Sequence, residues 1–310
     1  MLAEVFSRCE KVPVLSIIAC RILEDELTRV LSLDHTFRHL FLVDNPDGMG
    51  LSRKLRAQNR AHLLVAREEI PNRIKDIQNG NFGKIIKPLV NRFHFIRGQV
   101  SENASEQELV VVVNVLKMAL HSDGKLLKDE VYKNIRDMSL FSNGILLFYG
   151  LCGNYFGNIG NDMMDLSCPI FFLTDNDDKR VDDCIAVALG GNKRYEETLS
   201  RYHGVGIFFT PMWAFNWKDI DNDVSNSSKP QSLGSMLNNL GYQKVAKLDT
   251  GLHYISDFEV ESKISDFASS YGLQVVGLQG NTEIADRCYQ QAKDELSKLY
   301  SQITRSSFPI

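Results

Sequence analysis

Among the six cysteines of this chain, three stand where an α/β protein does its chemistry: Cys20, Cys152 and Cys184. Cys20 closes the apolar run 12–19 (VPVLSIIA), Cys152 lies in the glycine-flanked turn 149–154 (YGLCGN), and Cys184 follows Asp182 and Asp183 at the head of an expected helix. Deprotonated sulfur is a soft ligand, so three thiols converging from three element ends suit a metal held by three thiolates with one position open. Two occupants fit that description: a [4Fe–4S] cluster with one iron lacking a protein ligand, or a zinc ion with a free fourth site. No Cys-x-x-Cys pair is present, so distant segments must bring the ligands together. A thiol at a helix N-terminus is expected to ionise more readily than usual, which favours Cys184 as a ligand. The remaining thiols, Cys9, Cys168 and Cys288, read as small buried hydrophobes.

Six neighbours complete the expected pocket: Arg21, Gly150, Gly153, Asn154, Asp183 and Trp213. The glycines allow the backbone to approach a ligand closely. Other motifs carry less. The turn 149–157 is glycine-rich like a phosphate loop but lacks the GxxxxGK[ST] lysine, and GxSxG and HExxH are absent. His35 and His39 have helical i, i+4 spacing and read as a solvated face, and the acids between 175 and 183 read as a turn running into a helix.

These side chains need elements to hold them. Apolar runs at 12–19, 37–43, 144–149, 168–173, 206–210, 242–248 and 273–278 read as strands. Helical patterns at 51–66, 125–138, 181–189 and 282–302 alternate with them, while 109–113 (LVVVV) is equally good as helix or strand. The alternation predicts an α/β fold with mainly parallel sheets flanked by helices, arranged as two Rossmann-like lobes with the site between them. The expected lobes are 12–150, with a basic helical insertion at about 52–105, and 151–310, whose last helix could cross over. In open sheets of this kind ligands gather at the carboxyl ends of the strands, where Cys20 and Cys152 fall.

The chain has 310 residues, 44% of them hydrophobic, which is ample for a core and excludes a disordered polymer. A net charge of −4 excludes a general nucleic-acid binder. No apolar run approaches the roughly 20 residues of a membrane span, and no signal peptide precedes the first strand, so a cytoplasmic protein is expected. Residues 52–97 hold eleven Lys and Arg against three acids, a net of +8 that leaves −12 elsewhere. That stretch is either a solvated helical hairpin or a docking surface for an anionic partner.

Three cysteine blocks, IIACRILEDEL (17–27), LFYGLCGN (147–154) and VDDCIA (181–186) with LGGNKRY (189–195), together resemble the DUF1638 family. FTPMW (209–213) and LDTG (248–251) look like later blocks of the same family, so the likeness covers most of 12–280. Members occur in methanogenic archaea and anaerobic bacteria, often beside corrinoid methyltransferase genes. The resemblance carries Cys20, Cys152 and Cys184 over as site residues. It implies a metal-thiolate, iron–sulfur protein acting in or beside corrinoid-dependent one-carbon methyl transfer, with a corrinoid protein or a methylamine-type methyltransferase as partner. Alternatives are a zinc-thiolate methyl-handling protein and a non-catalytic module that docks on such a partner through 52–97. A homo-oligomer is compatible with each.

Overall fold

The computed structural model describes residues 12–79, 109–118, 123–202, 205–225, 237 and 239–306. Its first layer is a six-stranded sheet in the order β3-β2-β4-β1-β5-β6, with every pair parallel. The strands are β1 (Val14–Cys20), β2 (His39–Val43), β3 (Leu63–Val65), β4 (Val110–Leu116), β5 (Gly144–Phe148) and β6 (Ile170–Phe172). β1, β4 and β5 are buried along their whole length, because helices cover both faces of a parallel sheet. Full burial also resolves 109–113: β-branched valines buried on both sides pair between β1 and β2 as a strand.

Helices α1 (Glu24–Leu33), α2 (Met49–Ala57), α3 (Ile70–Gln78) and α4 (Gly124–Ser139) flank this sheet. The basic helix expected over 51–66 stops at Ala57: Asn59 turns the chain with φ at 56°, and 63–65 joins the sheet as β3. His35 and His39 share no helix, since α1 ends at Leu33 and His39 opens β2. Part of the basic stretch, including Lys84, Lys87, Arg92 and Arg97, lies outside the described residues, as does Cys9.

A second parallel sheet, β7 (Val205–Phe209), β8 (Lys244–Asp249) and β9 (Gln274–Gln279), follows the short helices α5 (Ile159–Asp162), α6 (Cys184–Leu189) and α7 (Asn192–Arg201). The lobe boundary expected at 150–151 falls inside the first sheet, because β6 still pairs with β5; the sheets divide between Phe172 and Val205. Helices α8 (Pro211–Ser225) and α9 (Asp257–Tyr271) pack on the small sheet around Phe209, Trp217 and Phe267. The last helix, α10 (Glu283–Ser306), returns to the first core, where Cys288, Tyr289, Ala292 and Leu296 are buried. Among the described residues no helix is long and apolar enough to cross a membrane.

Strand order fixes where a ligand can enter. The chain leaving β1 turns toward β2, and the chain leaving β5 turns the other way, toward β6. Adjacent parallel strands whose connections part in opposite directions open a crevice at their carboxyl ends. Cys20 is the last residue of β1, and Cys152 lies four residues beyond β5.

Candidate metal centre

Register brings the first two cysteines to the same level. Ala19 pairs with Phe148, so Cys20 lies beside Tyr149, and the turn carrying Cys152 starts immediately after. The third cysteine arrives by backbone pairing: Leu151 N donates to Val181 O and Cys152 N to Asp182 O, both at 2.8 Å. This places Cys184, the first residue of α6, against Cys152. Gly150 makes the approach possible, for a Cβ there would lie 2.3 Å from Asp183 Cα. Asp183 caps α6 by accepting from Ala186 N at 2.8 Å, and its burial raises its carboxyl to about 6.

The three thiols form one hydrogen-bonded group. Cys20 and Cys152 each bond to Cys184, the Ile22 amide donates to Cys20 sulfur, and the Tyr149 hydroxyl lies within electrostatic reach of all three thiols. Cys152 also has Gly150 O within 3.4 Å. All three are buried. Burial and then Cys184 push the Cys20 thiol well up; the bond to Cys184 and then burial do the same to Cys152. At Cys20 and Cys152, burial and contact with Cys184 therefore favour the neutral thiol.

The outer side of the turn is irregular. Cys152, Gly153 and Asn154 all have positive φ, at 49°, 73° and 67°, so the chain winds left-handed over the thiols. Gly153 and Asn154 are exposed. Arg21 pairs with Asp47 at 3.3 Å, and Trp213 packs between the two cores with its ring 5.5 Å from that of Phe209. Of the six expected neighbours, Gly150 and Asp183 hold the cysteine loops together, Gly153 and Asn154 belong to the exposed part of the turn, and Arg21 and Trp213 serve the surroundings.

Cys168 stands apart, preceding β6 at the amino edge of the sheet. Burial alone raises it to about 12. Cys288 receives the Thr174 amide at 3.3 Å and belongs to the packing of α10. The acids near 175 form a turn in which Asp175 Oδ1 accepts from the amides of Asp177 and Lys179 at 3.0 Å.

Beside the thiols lies a group that sequence reasoning missed. Glu24, Asp25 and Glu26 read as ordinary first-turn acids, yet all three are buried, and Lys54 is buried with them. The Lys54 ammonium is 2.7 Å from Glu24 Oε1 and 2.5 Å from Asp25 Oδ1. The paired carboxylates hold the Lys54 charge above its ordinary range, whereas burial still outweighs Lys54 at Glu24 and raises it. Burial, followed by the charge of Asp25, takes Glu26 to about 8, and Cys184 adds to the same effect. The second sheet's unit roofs this cluster: Met212 Sδ is 3.1 Å from Lys54 Nζ. A signal existed in the sequence, because Lys54 shares a helix face with Leu51 and Leu55.

A family model described as a protein of unknown function, DUF1638, matches residues 115–289. The chain belongs to the DUF1638 family. Cys152 and Cys184 fall inside the DUF1638 match and Cys20 outside it. No curated protein and no solved structure matches the chain.

As their side chains stand, no three His, Cys, Asp or Glu among the described residues are arranged to hold a metal ion. The thiols satisfy one another instead. Their chemistry nonetheless fits a soft metal: three buried sulfurs, with an amide already donating to one of them, as ligand sulfurs commonly receive. Loading requires loss of the thiol protons and rotation of the side chains toward a common centre.

Proposed function

We propose that this chain is a metal-thiolate protein, iron–sulfur in type, acting in or beside corrinoid-dependent one-carbon methyl transfer. The observation that carries the metal reading is the hydrogen-bonded thiol group Cys20–Cys184–Cys152 at the crevice between β1 and β5. The one-carbon setting rests on membership of DUF1638 and on the family's gene neighbourhood. When bound, a [4Fe–4S] group held by three cysteines supplies an iron with an open position, or an electron.

The chain's own residues do the rest. Cys20, Cys152 and Cys184 supply the ligands, Gly150 and Asp183 keep two of them in contact, and the surrounding apolar core excludes water. The cluster of Glu24, Asp25, Glu26 and Lys54 lies next to Cys184 and sets the charge balance around it.

Zinc is the second reading, favoured by the contact between the thiols. Bonds of about 2.3 Å in a tetrahedron put ligand sulfurs about 3.8 Å apart, a separation typical of thiols in contact. A docking role for the basic stretch has less support, since several of its described cations are engaged within the chain. Arg60 lies 4.2 Å from the Phe37 ring centroid, Arg67 pairs with Asp137 and Arg73 with Glu69.

Anaerobic purification with metal analysis and an absorption spectrum tests the reading. Iron with acid-labile sulfide and a broad band near ~400 nm supports the cluster. A colourless protein with about one zinc per chain moves the assignment to zinc. A metal-free protein that also stays empty on anaerobic reconstitution with iron and sulfide, or with zinc, overturns both. Methyl transfer is then followed in the loaded protein by the absorption of an added methyl-corrinoid.

A further inference from the structure

We infer that Tyr149 is a positioning residue of the thiol centre, its hydroxyl directed at Cys20 sulfur and its ring locked by the loop that carries Cys152. The placement follows from register. β5 ends at Phe148 opposite Ala19, so the next residue on each strand, Tyr149 and Cys20, meets its neighbour at the mouth of the crevice. Tyr149 is 2% exposed. Its ring meets the fully buried Phe156 edge-on, with centroids 6.0 Å apart and planes at 83°. Phe156 lies four residues past Cys152, so one short loop both presents a thiol and clamps the tyrosine.

Packing alone does not account for the hydroxyl. A phenylalanine would fill the same space against Phe156 without burying an O–H that needs a partner. The surroundings of that hydroxyl are sulfur: Cys20, Cys152 and Cys184 all lie within electrostatic reach of it, and register makes Cys20 its neighbour. A hydrogen bond to a ligand sulfur withdraws electron density from it, and such outer groups orient ligands and tune the metal they hold. Tyr149, just past β5, and the Ile22 amide thus both bear on the sulfur of Cys20. This role in tuning a metal rests on the metal-thiolate reading; the contact with Cys20 does not.

The experiment compares wild type, Tyr149→Phe and Phe156→Leu, each reconstituted anaerobically with iron and sulfide, and separately with cobalt(II) as a spectroscopic probe. In Tyr149→Phe the metal content is expected to stay at the wild-type level, while the sulfur-to-metal absorption bands shift and any reduction potential falls. Phe156→Leu keeps the hydroxyl but frees the ring, and it shifts the bands in the same direction. Unchanged bands and potential in a loaded Tyr149→Phe protein overturn the inference and leave the metal reading intact. If wild type takes up no metal, the metal reading fails, and iodoacetamide labelling of the metal-free chain decides the tyrosine. There, a labelling rate at Cys20 altered at least threefold in Tyr149→Phe, with Cys152 and Cys184 nearly unmoved, sustains the positioning role, and equal rates at all three overturn it. Should Tyr149→Phe fail to fold, the same band and labelling comparisons are read on Phe156→Leu, where wild-type values overturn the inference.

Discussion

Gly150 lies so close to Asp183 that a Cβ at 150 would stand 2.3 Å from both the Cα and the carbonyl carbon of Asp183. That contact joins the turn after β5 to the loop before α6, and with it Cys152 to Cys184. Backbone cannot yield as a flexible side chain can, so Gly150→Ala is expected to destabilise the fold by about 3 kcal/mol or more. It also separates the two thiols and lowers metal uptake. Gly241→Ala is the control: φ there is 72°, but nothing lies within 4 Å of the added Cβ, and the cost is about 1 kcal/mol of backbone strain. Urea denaturation of both variants, with metal analysis, checks the contrast.

Serine scanning separates the ligands from the other thiols. Cys20→Ser, Cys152→Ser and Cys184→Ser are each expected to lose most of the bound metal under anaerobic reconstitution. Cys168→Ser and Cys288→Ser keep it, because one sits at the opposite edge of the sheet and the other against Thr174. Retention of metal in all three members of the first set would remove them from the site.

Lys54 is the buried cation shared by Glu24 and Asp25. Lys54→Met leaves both carboxylates buried without it and is expected to cost about 3–5 kcal/mol. The double variant Glu24→Gln with Lys54→Met removes one of the stranded charges and recovers part of that loss. Denaturant midpoints for the two proteins measure it, and equal midpoints for Lys54→Met and wild type would mean that the ion cluster contributes nothing.

Glu26 gives stability a pH dependence whose sign is fixed. Its carboxyl is raised from 4.5 to about 8 in the fold, so between those values the native state binds a proton that the unfolded chain has released. The stability that Glu26 contributes is therefore full below about 4.5, falls as pH rises to about 8 and is lost above it. In the metal-free protein Glu26→Gln should flatten this fall, raising the melting temperature at pH 9 while changing it little at pH 4.5. A parallel loss in both proteins across that range sinks the assignment.

How much of this was legible in the sequence varies residue by residue. The alternation of apolar runs with amphipathic segments determined the α/β class and located β1, β5 and α6, because strand and helix periods are local properties of the chain. It also put Cys20, Cys152 and Cys184 at element ends. The run 109–113 could not be resolved locally, since a valine-rich segment buried on both faces has no alternation to read. The helix expected over 51–66 failed for a similar reason: a three-residue strand is defined by its partner β2, not by its own pattern.

Tertiary structure alone decided the rest. That β1 neighbours β5 and that their connections part in opposite directions is a matter of strand order, which no local pattern encodes. Only that order makes Tyr149 the neighbour of Cys20, and only the backbone pairing of 151–152 with 181–182 brings Cys184 to Cys152. The charged cluster shows the same division. Glu24, Asp25 and Glu26 have the local pattern of a solvated first turn, and they are buried with Lys54 because α1, α2 and the second sheet's unit close over them. Burial is a property of what lies across from a residue, so its effect on these carboxylates and thiols exists only once the chain has folded.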